Sequence, residues 1–493
     1  MIERWSRDQV LALAPDASSQ KAARGVATPA KWPVRGTTGM LLYGECKGSG
    51  AKPYLACVDV SEPAYRCSCP SRKFPCKHAL GLLLLWADDG VPEGEVVPAW
   101  AAEWQEARAE RAAKAAARLE AARAAAAEAA TAEEPAADGE AGAGPENAGK
   151  PGPGGSARAG RAPGQAGETG EAAETFGPSS PSGAAGTSGS TGAAGAAGAA
   201  GAESVRHARV AAGLAELERW LADQVRQGLA GAAGHEWDGL AKRLVDAQAP
   251  GVAGMVSRLA QVRASDDWPG RLLEEYALLN LLAVAYRRRA ELPAPLARTV
   301  LVRAGFPVTR EEVLAGLPVR DHWDVLGRRD EVQDRLTARR VWLRGRRSGR
   351  AALVLSFAPQ GQPLDASLVT GTVIDADVTF YPGAAPLRAL VAARHGAVPS
   401  DGPPPGRSPE EALEEVARAL GGDPWVESWP VVLAGVVPER ASIGGLPLHP
   451  RARDPWRLIA VAGGRPRTVA VEWTPHGVRP LATWDDEGAA VIL

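Results

Sequence analysis

Three cysteines and one histidine lie within twelve positions of one another in the segment YRCSCPSRKFPCKH, which begins at Tyr65. One residue separates Cys67 from Cys69, and one residue separates Cys76 from His78. Thiolates and an imidazole in this number are typical ligands of a four-coordinate Zn²⁺. Because the protein would fill all four positions, the sequence predicts a structural zinc site and not a catalytic one.

The spacing also limits the backbone that can carry these ligands. On a strand, Cys67 and Cys69 point to the same side, because side chains alternate between the two faces. Cys76 and His78 cannot both face one ion from within a helix, so we expect Cys76 in a turn and His78 at the start of a helix. The apolar run ALGLLLLW that follows His78 predicts a helix that packs the site onto the strands.

Basic residues surround the predicted metal site. Three thiolates, a neutral imidazole and Zn²⁺ sum to one negative charge, which nearby cations would offset. With Tyr65 and Phe74 as stacking candidates, these cations form a small basic patch suited to nucleic acid. A protein partner, or a purely structural role for the finger, explains the same residues and stays open. The candidate binding residues are Lys47, Lys52, Arg66, Arg72, Lys73 and Lys77.

The pattern C-x-C-x6-C-x-H followed by an apolar helix resembles the SWIM zinc finger. The segments GECKGSG and CSCPSRKFPCKHALGLLLL resemble bacterial SWIM-finger proteins, over roughly residues 30–90. The resemblance implies a strand-turn-strand-helix zinc fold that binds nucleic acid or protein, with Cys67, Cys69, Cys76 and His78 as the ligands. SWIM modules occur in transposases, ubiquitin-pathway proteins and bacterial ATPase-associated proteins, so the resemblance names no single activity.

The other two cysteines, Cys46 and Cys57, are too few for a disulfide scaffold, which indicates a reducing compartment. We expect both to be buried structural residues, with a disulfide between them as the minor alternative. The N-terminus lacks an apolar signal core, and the longest apolar run, 79–87, is too short to span a bilayer. These features predict a cytoplasmic protein with no membrane segment and leave its oligomeric state unknown.

Composition divides the 493 residues into five parts and predicts a multidomain α+β protein. Ala, Gly, Pro and Ser dominate the third part, which cannot bury enough apolar surface to offset its chain entropy. The predicted parts are a zinc-finger domain at 1–97, an exposed Ala-rich helix at 98–130, a disordered linker at 131–202, a helical domain at 203–333 and a β-rich α+β domain at 334–493.

Periodicity supports the last two parts. Val210, Leu214, Leu217, Leu221 and Val225 recur at helical spacing and predict the first helix of a bundle. From about Arg335 the period shifts to two, which predicts strands of a mostly antiparallel sheet. The strand-like runs are RRVWLRG, AALVLSFA, DADVTFY, PVVLAGVVPE, WRLIAVAG and TVAVEWTP, with one helix at 409–420.

Other charged groups carry weaker signals. The basic runs at 286–292 and 339–350 are more typical of a helix end and a sheet surface than of a binding site. Asp375 and Asp377 alternate on one predicted strand and favour a solvated edge. Hydrolase, P-loop, dinucleotide-binding and metalloprotease motifs are absent from the sequence. With a net charge of −2, binding to polyanions must depend on local patches.

We therefore predict a non-catalytic, zinc-binding adaptor whose finger contacts DNA, RNA or protein. The alternative is an enzyme, or an ATPase-associated accessory protein, with an unrecognised site in the C-terminal half.

Overall fold

The computed structural model describes residues 4–48, 50, 52–94, 96–132, 192–231, 234–264, 267–333, 336–360, 362, 364–452 and 455–493. One compact unit comprises Met1–Ala129 and Val205–Leu493, and Ala130–Ser204 form a second. Most of the linker predicted at 131–202 lies outside the described residues. Its last residues are helical, because the helix that enters the bundle begins at Gly192. Alanine at two of every three positions there favours a helix despite the glycines.

The N-terminal region, residues 4–98, is a four-stranded antiparallel sheet with helices on both faces. The strands follow the order β1-β2-β3-β4. The apolar helix α3 covers one face, and the start of α4 covers the other. In chain order the elements are α1 (Arg7–Ala12), α2 (Ala17–Val26), β1 (Val34–Thr38), β2 (Leu41–Cys46), β3 (Tyr54–Asp59), β4 (Ala64–Cys67), α3 (Lys77–Ala87) and α4 (Ala99–Ala132).

Strand β2 shows why this sheet is larger than the sequence indicates. Leu42 and Cys46 face α3, whereas Leu41 and Tyr43 pack with Ala101 and Trp104 of α4. Because both faces are covered, β2 has no alternation of apolar and polar residues. The helix predicted at 98–130 therefore exists, but Ala101 and Trp104 near its start are buried and not exposed as predicted.

The helical bundle confirms the periodicity of the middle of the chain. Val210, Leu214, Leu217 and Leu221 are buried on α5, whereas Val225 is exposed near its end. The helices are α5 (Gly192–Gln227), α6 (Gly234–Asp246), α7 (Pro250–Arg263), α8 (Trp268–Arg287), α9 (Ala294–Ala304) and α10 (Arg310–Ala315).

The C-terminal half contains a closed five-stranded barrel and a four-stranded sheet. The barrel has the order β5-β6-β7-β9-β8, and only β7 and β9 pair in parallel. Its strands are β5 (Val319–Gln333), β6 (Leu336–Gly345), β7 (Ala351–Pro359), β8 (Val373–Phe380) and β9 (Arg388–Val398). The sheet has the order β10-β13-β14-β15. Its strands and neighbouring elements are α11 (Pro409–Gly422), β10 (Trp429–Val436), β11 (Ser442–Ile443), β12 (Leu446–Pro447), α12 (Trp456–Ala462), β13 (Arg467–Thr474), β14 (Gly477–Trp484) and β15 (Ala490–Ile492).

Two differences from the sequence prediction have physical causes. Strand β5 lies inside the segment predicted to be helical, 203–333, so the β-rich part begins at Val319. The strand predicted from WRLIAVAG is wrong, because Trp456–Ala462 form helix α12. A short apolar run fits either structure by periodicity alone. Here Leu458 and Ala462 are buried one helical turn apart, and Gly463 ends the helix with a φ of 55°.

The C-terminal half completes the cores of both other parts. Ala366 and Val369 belong to the core of the N-terminal region, where Gln9 Nε2 donates to the Thr370 carbonyl at 3.0 Å. Trp425 enters the core of the bundle and donates through Nε1 to the Leu278 carbonyl at 3.0 Å. The N-terminal region therefore packs against the C-terminal half and is not an independent module, in contrast to the arrangement that the predicted linker at 131–202 implies. None of the described helices is long and apolar enough to cross a bilayer.

Candidate metal centre

The four predicted ligands converge. Cys67 ends β4, Cys69 follows two residues later, Cys76 is the N-cap of α3, and His78 lies in its first turn. Their ligand atoms all lie within 4.8 Å of one another, and Cys67 Sγ is 3.7 Å from His78 Nδ1. Tetrahedral ligands at zinc bond lengths would be roughly 3.5–3.8 Å apart, so small side-chain adjustments are enough to close the site.

The surrounding structure fixes these side chains. Cys76 Sγ accepts a hydrogen bond from the Ala79 N–H at 3.5 Å, as expected for an N-cap. The ring of Tyr54 stacks on His78, with centroids 4.6 Å apart and an angle of 27°. His78 is buried, and its orientation is set by this contact. Sequence reasoning missed Tyr54, because an aromatic residue at the start of a strand is not a signal for a metal site.

The thiols differ in acidity in the absence of metal. A hydrogen bond from the Cys67 thiol is the main cause that lowers the pKa of Cys76, with further help from His78 and the Ala79 N–H. The same interaction, together with burial, raises the pKa of Cys67, and burial raises the pKa of Cys69. Cys76 is therefore the first thiolate of the cluster, and metal binding releases the remaining thiol protons.

Two family models match the chain. The SWIM zinc finger matches residues 57–87, which hold all four ligands, and the SWIM-associated four-helix bundle domain matches residues 205–304. The chain therefore contains a SWIM zinc finger and a SWIM-associated helical bundle. Its cofactor is zinc, held by Cys67, Cys69, Cys76 and His78. No curated protein and no solved structure matches the chain.

The SWIM finger lies in a sheet whose two faces divide the predicted binding residues. All six are exposed. Arg66 pairs with Cys57 across β3 and β4 and lies on the face of α4, whereas Cys67 pairs with Ala56 on the face of α3. Arg66 is therefore separated from the metal side of the sheet.

Lys73 differs from its neighbours, because it is held in an ion pair. Its Nζ lies 2.7 Å from Asp16 Oδ2 and donates to Ser18 Oγ at 3.0 Å. This contact is the largest cause of the lowered pKa of Asp16. Among the described residues, Lys77 and Arg72 have no ion-pair partner.

Lys31 joins the metal side of the sheet, although sequence reasoning missed it. The Lys47 N–H donates to the Lys31 carbonyl at 2.8 Å. Burial raises the pKa of the Cys46 thiol, and the positive charges of Lys31 and Lys77 oppose this effect, so both ammonium groups lie near Cys46. No local sequence signal connects Lys31 to the finger.

The predicted stacking residues serve the fold instead. Tyr65 is buried, and its hydroxyl donates to the Ala366 carbonyl at 3.5 Å. Phe74 packs edge-on against Tyr65 at 5.7 Å. Tyr65 is thus unavailable to a nucleobase, which corrects the sequence-based interpretation.

Cys46 and Cys57 are buried free thiols on opposite faces of the sheet, so the geometry does not support a disulfide between them.

The basic runs of the other parts are paired internally. In the bundle, Arg287 binds Glu218 and Arg288 binds Glu291. In the barrel, ion pairs join Arg339 to Asp330, Arg344 to Glu415 and Arg346 to Asp324. Asp375 and Asp377 contact Arg320 and His395. The structural interpretation of these runs therefore holds.

Proposed function

We propose that this SWIM protein is a non-catalytic adaptor whose finger binds nucleic acid through its phosphates. The supporting observation is a set of cations in the segments that surround the metal site. Lys31, Lys47, Arg72 and Lys77 are exposed and have no ion-pair partner among the described residues. Lys31 and Lys77 lie near Cys46, and Arg72 lies in the loop between Cys69 and Cys76. Asp16, at the start of the neighbouring helix α2, is already bound by Lys73. Unpaired cations on one face are the electrostatic footprint of a nucleic-acid surface.

A non-catalytic role is supported by the state of the candidate acids. Asp375 accepts two hydrogen bonds from Arg320, at 2.7 and 2.8 Å, and Asp377 lies 3.1 Å from His395 Nε2. Both carboxylates are thus engaged on the outer side of a barrel whose interior is filled by residues such as Ile374 and Val378. Free cysteines are consistent with the cytoplasmic location that we also propose.

A protein partner is the second candidate, and one cleft favours it. The cleft has a volume of about 980 Å³ and lies between the N-terminal region and the C-terminal half. Its walls include the apolar side chains of Trp5, Met40, Trp86 and Val398. A cleft of this size and character suits a peptide segment.

The test is equilibrium binding of the full-length protein to single- and double-stranded DNA and RNA across a salt series. Phosphate contacts release counterions, so affinity should fall steeply with salt. Arg72→Glu combined with Lys77→Glu should weaken binding about ten-fold or more and reduce the salt dependence by roughly one unit of slope per lost contact. Zinc content, measured by elemental analysis, should not change.

The matched control is Arg209→Glu combined with Lys242→Glu. Both residues are exposed on the bundle, and the change in net charge is the same. We expect this variant to bind as the wild type does. Absence of salt-sensitive binding by the wild-type protein would overturn the nucleic-acid role and leave the protein partner as the better candidate.

A further inference from the structure

A pocket of about 370 Å³ opens directly beside the metal site of the finger. Two of the zinc ligands, Cys69 and His78, form part of its wall. The other walls come from α2, the start of β3, the loop after Cys69 and the first turn of α3. The residues that matter here are Ser18, Ala22, Tyr54, Ser71, Lys73 and Lys77.

The polar lining of this pocket contains donors but few free acceptors. The Lys73 ammonium is fixed against Asp16 and Ser18. The Ser71 hydroxyl is held by the backbone of Lys73, from whose N–H it accepts at 3.2 Å. Lys77 is exposed and lacks an ion-pair partner among the described residues, so one ammonium group remains available to a ligand.

The formal charges around the pocket favour an anion. The zinc site carries one negative charge, and the pair of Lys73 and Asp16 is neutral. Lys31, Lys47, Arg72 and Lys77, from the segments that surround the metal site, add four positive charges. The excess is positive, although the metal site alone would repel an anion.

We propose that this pocket binds one nucleotide of single-stranded nucleic acid, whose phosphate contacts the Lys77 ammonium. This inference rests on the proposed function. The one available ammonium matches the single charge of a phosphodiester. A phosphorylated side chain carries about two charges and is usually bound by clustered arginines, which do not line this pocket. Ala22, Pro70 and the edge of Tyr54 supply an apolar wall for the sugar or base.

The size of the pocket adds a preference. Its volume lies at the lower end of the range for small-ligand sites, so it holds one nucleotide and not the groove or backbone of a duplex. Duplex nucleic acid can still contact the exposed cations outside the pocket. The finger should therefore bind a single strand more tightly than a duplex of the same length.

The experiment fills the pocket without changing charge. Ala22→Phe in the full-length protein should weaken binding of single-stranded oligonucleotides about ten-fold and leave duplex binding nearly unchanged. Ala17→Phe is the matched control, because Ala17 is exposed on the same helix and does not line the pocket. The dinucleotide ApA, whose single phosphodiester carries one charge, should compete with the single strand in the wild type and fail to bind Ala22→Phe.

The outcomes separate the pocket from the proposed function. If Ala22→Phe leaves salt-dependent nucleic-acid binding intact, or weakens it equally for single strand and duplex, the pocket proposal is overturned and the proposed function is retained. No nucleic-acid binding by the wild type would overturn both. Displacement of the single strand by a phosphoserine peptide but not by the dinucleotide ApA would overturn the proposal and assign the pocket to phosphoproteins. If Ala22→Phe loses zinc, the Lys77→Met variant provides the test instead. An unchanged salt dependence of its affinity for a single strand would contradict the proposal.

Discussion

The metal side of the finger and the barrel strand β6 are both rich in cations, but they use them in opposite ways. Acids from other elements bind the arginines of the barrel: Arg339 meets Asp330 on β5, and Arg344 meets Glu415 on α11. Lys31, Lys47 and Lys77 of the finger have no such partner among the described residues. The more basic stretch of sequence is therefore the structural one, and the sparser set is the candidate binding surface.

Burial explains this difference. The side chains of Arg344 and Glu415 are only 11% and 12% exposed, so either charge without the other would be costly. The lysines of the finger remain in water, where an unpaired ammonium costs nothing. Basic residues of the candidate binding surface thus lack an acidic partner, whereas the basic residues that stabilise the fold have one. The local sequence does not show which basic residues have a partner.

Loss of zinc should have the largest effect on the stability of the N-terminal region. Structural zinc contributes about 10–16 kcal/mol in finger peptides, more than the usual stability of a domain. Cys67→Ser or His78→Ala should lower the metal content from about one zinc per chain to near zero. Hydrogen exchange should then show loss of protection in β3, β4 and 366–370, while α6 to α8 stay protected. Full protection of β3 and β4 in metal-free protein would contradict the zinc requirement.

Arg344→Ala should have the next largest effect and should act on stability alone. It leaves Glu415 as a buried charge without its main partner, so denaturant unfolding should show a loss of about 3–5 kcal/mol. Arg407→Ala is the control, because Arg407 contacts the same carboxylate at 3.5 Å but is about half exposed. We expect that variant to lose less than about 1 kcal/mol. Reduced nucleic-acid affinity in folded Arg344→Ala would break the distinction between the two regions.

A smaller effect concerns His449, whose charge state also serves the fold. Burial, together with the nearby Arg479, lowers the pKa of His449 to about 4, so the folded protein holds it neutral. The unfolded chain binds a proton near pH 6.5. Stability is therefore complete above about pH 6.5 and declines as the pH falls toward 4, with a loss of about 1 kcal/mol at pH 5.5.

His449→Gln should lose less stability between pH 7.5 and pH 5.5 than the wild type, as measured by thermal unfolding. The corresponding change at the exposed His322 should leave the wild-type pH dependence intact. An identical pH dependence in His449→Gln and the wild type would show that this histidine is not held neutral.

The sequence was sufficient for the metal ligands, because all four lie within twelve residues and their spacing alone selects a strand, a turn and a helix start. It was insufficient wherever a distant element decides the outcome. Tyr54 positions His78, Asp16 restrains Lys73, and Ala366 covers Tyr65, and each of these contacts joins segments that sequence periodicity cannot relate. The Trp456–Ala462 run fails for another reason, since it has neither the length nor the pattern to distinguish a helix from a strand.

The contribution of Ala366 and Val369 to the N-terminal core has a consequence for the synthesis of the chain. A ribosome must add about 280 residues after the end of α3 before these side chains exist, which takes on the order of tens of seconds. Throughout that interval the side chain of Tyr65 in the nascent chain lacks its contact with Ala366, even after the cysteines have bound zinc. Metal loading and completion of the core are therefore separate events in time, and the incomplete surface between them is where a chaperone would bind.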